Sequence, residues 1–165
     1  RAALREDPDV IVIGELRDVE TVTLALSAAE TGVLVFGTLH TNSAAKSIDR
    51  LIDVCPEDMH AQVRVTLGSL LRGVVAQHLV KRSSGEGMIA ATEVLLPSVA
   101  LSHLIREGKT HQVDGYIQAH EGDGEMRTLD TTLCKLVRQG IVDVDDAVAV
   151  AAVPDIVRRA AQLDE

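Results

Sequence analysis

The sequence holds 165 residues, 46% hydrophobic and 25% charged, with a formal net charge of −9, the size and balance of about one domain with a real core. One Tyr, one Phe and no Trp leave little on which bases could stack. The acidic excess excludes a nucleic-acid partner, though a single phosphate ligand needs only a local pocket. Cys55 and Cys134 form no CxxC, so no four-cysteine zinc module and no disulfide framework is expected, and a reducing cytoplasm is the default compartment. No apolar run approaches the roughly 18–20 residues of a membrane span, and no signal peptide is seen. "RAALRED" at the start reads as the tail of a helix already under way, and the chain as the C-terminal part of something longer.

Taken in order, Val10–Ile13 is an all-apolar run, which suits a strand covered on both faces in a parallel sheet. Asp18 can N-cap a helix through about Glu30, with Val19, Val22, Leu26 and Ala29 on one face and Gly32 closing it. "VLVFGTLH" (33–40) is a second buried strand. Thr41–Ser43 cap a helix carrying Ile48, Leu51 and Ile52, which Pro56 stops. Strand and helix thus alternate, the α/β signature. A long helix is expected over Glu57–Val80, with Val63, Leu67, Leu70, Leu71, Val74 and Val75 inward. The "SSGEG" loop (83–87) and a strand near 88–95 follow. Short helices are expected at 98–107, 110–119, 128–139, 143–152 and 154–163. The expected division is 1–95, a partial α/β core, and 96–165, a helical C-terminal region.

Two side chains stand where chemistry could occur. Glu15 follows the first strand at once, after Gly14; in P-loop ATPases an apolar strand ends in acids beside the terminal phosphate, one of them a glutamate acting on the attacking water. The competing reading is a solvated glutamate pairing with Arg17. His40 ends the second strand, and in open α/β sheets ligands sit outside the carboxyl ends of the strands. The alternative is a solvated or capping histidine, the reading that fits His60, His78, His103, His111 and His120. None of these histidines has metal-ligand spacing. "EGDGE" (121–125) lacks the pattern of a calcium loop.

These pieces stand in a known order. "ALREDPDVIVIGELRDVET" resembles the Walker B segment of the secretion ATPase superfamily, which powers type II secretion and type IV pili. "TGVLVFGTLHTNSAAKSIDRLIDV" resembles its His box. "ALSHLIRE" (100–107) is similar to the AIRNLIRE motif of the PilT-like retraction ATPases, departing at Ser102 and His103. "GEMRTLDTTLCKLVRQG" is similar to the stretch that follows that motif.

The resemblance implies a RecA-like P-loop ATPase core, the use of ATP and Mg²⁺, and assembly as a homo-hexamer. It further implies an inner-membrane platform protein as partner, and a cytoplasmic location at the inner face of the cytoplasmic membrane without insertion into it. By the same resemblance Glu15 is the Walker B glutamate and His40 the His-box histidine. Gly14 and Thr38 lie along the nucleotide, and Leu104, Ile105, Arg106 and Glu107 belong to the motor motif. No GxxxxGK[ST] phosphate loop occurs in these 165 residues, so nucleotide binding by this chain alone is expected to be weak and the chain alone inactive. Absence of the zinc module favours the PilT-like branch and a retraction motor serving twitching motility. A secretion or pilus-assembly ATPase, and a truncated non-catalytic docking module, remain the alternatives.

Overall fold

The computed structural model describes residues 6–162; the helical tail expected in "RAALRED" falls largely outside them. Strand β1 (Val10–Ile13) pairs in parallel with β2 (Leu34–Gly37), Val10 opposite Leu34 and Ile13 opposite Gly37. Between them runs α1 (Val19–Glu30). A parallel pair requires such a crossover. Asp18 opens α1 by accepting the N–H and the hydroxyl of Thr21, each at 2.8 Å, which supplies one orphan donor of the first turn with a partner. Val22, Ala25 and Ala28 form its buried stripe. Past its end Gly32 adopts φ 98°, a conformation that costs glycine little.

The chain continues through α2 (Ala44–Asp53), a short 3₁₀ turn at Glu57–Met59, and α3 (His60–Leu70). Here the expected long helix is corrected. It ends at Leu70, and Val74–Lys81 is strand β3, paired antiparallel with β4 (Met88–Leu95). Leu71 leaves the helical region at φ −57°, ψ 125°. From Val74 on, burial alternates residue by residue: Ala76 and Val80 point inward, while Val75 is 67% exposed. A period of two with β-branched residues is a strand pattern, and the helical reading had treated adjacent valines as one face.

The remaining elements are helical as expected: α4 (Val99–Arg106), a 3₁₀ turn with α5 (Val113–Ala119), α6 (Leu129–Arg138), α7 (Val144–Val150) and α8 (Pro154–Gln162). None of the described helices is long and apolar enough to cross a membrane.

The residues pack as two compact units that interleave along the chain. The first comprises the stretch through Thr41, Ala45–Arg72 and Pro97–Val113. The second comprises Asn42–Ala44, Gly73–Leu96 and everything from Asp114. The chain returns to the first unit at Pro97 and leaves it again after Val113. In the first unit Ile48, Ile52, Val63, Leu67, Leu101 and Ile105 are buried. In the second, Val80 and Ala91 of the hairpin cluster with Leu129, Leu133, Val142, Ala147 and Val157. Asp130 is buried there too, and accepts the N–H groups of Ala152 and Val153 at 2.8 and 2.9 Å, which offsets the cost of burying its charge.

Candidate functional site

The parallel register of β1 and β2 brings their carboxyl ends to one edge of the first unit. Gly14 and Glu15 leave β1 there, and Thr38 to His40 leave β2. The two chains are cross-tied beyond the strands. Leu16 donates its N–H to the Thr38 carbonyl at 2.9 Å, and the Thr38 hydroxyl donates to the Gly14 carbonyl. With the backbone held this way, Glu15 Oε1 lies 3.6 Å from His40 Nε2. Both side chains are open to solvent, His40 at 87% and Glu15 at 41%, so the pair is a weak ion pair at best and leaves the carboxylate accessible. Nothing lies within 4 Å of where a side chain on Gly14 would stand. The edge is therefore roomy beside the carboxylate.

The two residues singled out for catalysis are thus brought together, and Gly14 with them. Thr38 stands at the same edge, where its hydroxyl donates to Gly14 and braces the two strand ends. A hollow of about 390 Å³ along α1, lined by Val19, Glu20, Thr23, Leu24, Ser27 and Met59, contains none of these residues. Among the described residues no group of three His, Cys, Asp or Glu could hold a metal ion. The edge offers one carboxylate and one imidazole. That set suits a magnesium ion that keeps most of its waters and rides on phosphate oxygens, and does not suit a metal caged by protein alone.

The motor-motif residues sit on and just after α4. Ile105 is 1% exposed and faces the core, Leu104 is half-buried, and Arg106 and Glu107 are exposed. Arg106 Nη2 donates to Ser69 Oγ on α3 at 2.8 Å. Glu107 lies 2.9 Å from His103 and 2.5 Å from Lys109; the Lys109 hydrogen bond first, and the His103 charge after it, hold its carboxyl below the usual range. Both departures from the motif are engaged. His103 pairs Glu107, and the Ser102 hydroxyl donates to the Gly68 carbonyl of α3. The histidines expected to be solvated are mostly tied to backbone: His60 to Cys55, His78 to Asn42 and His120 to Tyr116.

Two further residues escaped the sequence reading. Gly37 is one: a side chain there would strike Leu16, and a glycine inside a strand pattern is a known signal of close approach. Glu93 is the other, an acid at the inward parity of β4, visible only once the strand alternation is laid out.

The first unit is thus an α/β arrangement in which a parallel strand pair delivers a glutamate and a histidine to its carboxyl edge. The sequence pattern of the type II/IV secretion system proteins matches residues 1–88, and the chain belongs to that family. It is 46% identical over 164 residues to a twitching motility protein of Neisseria gonorrhoeae, covering 99% of this chain and 41% of that one. It is 49% identical over 155 residues to the type IV pilus retraction ATPase PilT of Pseudomonas aeruginosa, covering 94% and 44%. A crystal structure of the pilus retraction motor PilT with bound ADP superposes with a TM-score of 0.85 at 46% identity, over 96% of this chain and 44% of that one. The chain therefore spans less than half the length of these relatives.

Proposed function

We propose that these residues form the water-facing half of the ATP-hydrolysing site of a pilus retraction motor, which works as a homo-hexamer on an inner-membrane platform protein at the cytoplasmic face of the membrane. The observation that carries this reading is the approach of Glu15 and His40 to 3.6 Å at an open strand edge, in a chain of this family. Magnesium, when bound with ATP, would neutralise charge on the phosphate oxygens, and Glu15 would meet it through water. The Glu15 carboxylate orients the attacking water and accepts its proton at Oε1 or Oε2. His40 Nε2 donates toward the terminal phosphate or toward Glu15, holding the carboxylate in place. Thr38 and Leu16 keep the two backbones in register while this happens.

The test is Glu15→Gln in the full-length protein, with ATP turnover and ATP affinity measured together. General-base catalysis contributes about 10²–10⁴-fold, so turnover should fall at least about 100-fold, with affinity unchanged within about threefold because the substitution removes a charge that acts on the water more than on bound nucleotide. Turnover retained within about threefold would remove Glu15 from this role.

A further inference from the structure

The side chain of His40 is 87% exposed, so packing does little to aim its ring and the backbone on either side must do so. Two residues before it the chain is tied at Thr38, whose carbonyl accepts the Leu16 N–H and whose hydroxyl donates to the Gly14 carbonyl. The residue after it is tied as well. Thr41 Oγ1 lies 2.7 Å from Ser47 Oγ, a hydrogen bond in which either hydroxyl can donate. Thr41 is half-buried, and Ser47, on α2, is 5% exposed. The same helix carries the buried Ile48 and Ile52. Glu15, Thr38, His40, Thr41 and Ser47 all belong to the first unit.

Packing alone does not call for two hydroxyls here. A hydroxyl taken out of water costs free energy unless it finds a partner, and replacing both members of such a pair by apolar groups of the same shape is close to neutral. Valine has the outline of threonine, and alanine fills most of the space of serine. What the hydroxyls add is direction: their bond fixes Thr41 relative to α2, and His40 is the residue before Thr41.

We propose that Ser47, acting through Thr41, is a positioning residue for His40: the hydroxyl pair ties the chain just past His40 to α2, as Thr38 ties it just before, and so holds the imidazole opposite Glu15. This rests on the reading of Glu15 and His40 as the hydrolytic pair.

The experiment uses the full-length protein with ATP as ligand. It compares wild type with Thr41→Val, Thr41→Ser, Ser47→Ala and the double variant Thr41→Val with Ser47→Ala, and places Thr41→Val in a His40→Ala background. Turnover and ATP affinity are read for each. Thr41→Val should lower turnover at least about tenfold with affinity held within about threefold. Thr41→Ser keeps the hydroxyl and should stay within about threefold of wild type. Ser47→Ala should match Thr41→Val, and the double variant should be no more than about twofold worse than either, because one shared bond is lost in all three. With His40 already replaced, Thr41→Val should change turnover by less than about twofold. A Thr41→Val protein with wild-type turnover, a parallel loss of affinity, a Ser variant no better than Val, additive single effects, or a full Thr41→Val loss in the His40→Ala background would each overturn the proposal. If Ser47→Ala does not fold, Thr41→Val and Thr41→Ser carry the comparison. His40→Ala with wild-type turnover would overturn the hydrolytic reading and this proposal with it, whereas an impaired His40→Ala beside an active Thr41→Val overturns this proposal alone.

Discussion

Replacing Gly37 by Ala should damage both stability and turnover, and the structure sets the size of the effect. A Cβ on Gly37 would stand 2.4 Å from Leu16 Cδ1 and 2.8 Å from Cγ. Cγ is a branch point one bond from Cβ, so flexing the tip of Leu16 cannot clear the overlap. Leu16 is 8% exposed and its N–H is bonded to Thr38; relief therefore requires a new rotamer or a backbone shift, at about 1–3 kcal/mol. Glu15 is the residue before it, and on the proposed function a displacement of about 1 Å in its carboxylate costs on the order of 10²-fold in rate. Urea unfolding and ATP turnover should be compared in the full-length wild type, Gly37→Ala, Leu16→Ala and the double variant. Leu16→Ala removes the atoms that clash, so the double variant should be about 1–3 kcal/mol more stable than the sum of the single effects predicts. Additivity within about 0.5 kcal/mol would refute the steric account, as would a Gly37→Ala protein with wild-type turnover.

Two further outcomes are expected. Arg106→Ala with Glu107→Ala should leave folding intact, since both side chains are exposed; on the proposed function, the hexamer should still form and cells should become hyperpiliated and lose surface motility, whereas loss of pili would assign the chain to an extension motor. Asp18 is held below its ordinary 3.8 by the Thr21 N–H first, then the Thr21 hydroxyl and Arg17. A lowered carboxylate stabilises the fold above its unfolded value and loses that contribution as pH falls through the folded value; hydrogen exchange at Thr21 should therefore accelerate on acidification below 3.8, and Asp18→Asn should flatten that dependence.

The first half of the chain was readable because its signals are local. Val10–Ile13, the Asp18 cap and Gly32 each declare an element within a few residues, and the parallel pairing of β1 and β2 follows from the intervening helix. The short helices after Pro97 were legible for the same reason, each bounded by Gly, Pro or a capping residue. Val74–Val80 was misread because it follows a true helix without Pro, and an apolar run contiguous with a helical face satisfies either period over one turn. What ends α3 is tertiary: Gly73 lets the backbone approach the Leu95 carbonyl, 3.3 Å from where a Cβ would stand, and a partner strand some twenty residues ahead carries no mark in that window. That Glu15 and His40 leave their strands at one edge could be read from the strand ends, but the burial of Glu93 in the second unit depends on which face of β4 turns inward, and that parity became visible only with the hairpin register.

The construction of the edge, more than the attraction between Glu15 and His40, sets where the two side chains stand. Glu15 and His40 are exposed and 3.6 Å apart, and an exposed ion pair contributes about 0–1 kcal/mol, too little to hold two side chains in one geometry. Their placement comes from backbone: Leu16 to Thr38, Thr38 to Gly14, and the packing of Leu16 across Gly37. Such ties involve no charge and are not weakened by salt, so the carboxylate stays in place while remaining free to face a ligand. Ionic strength should accordingly change nucleotide affinity, through charge, far more than the position of Glu15 relative to His40. An edge held by its backbone keeps Glu15 in place while its carboxylate faces solvent.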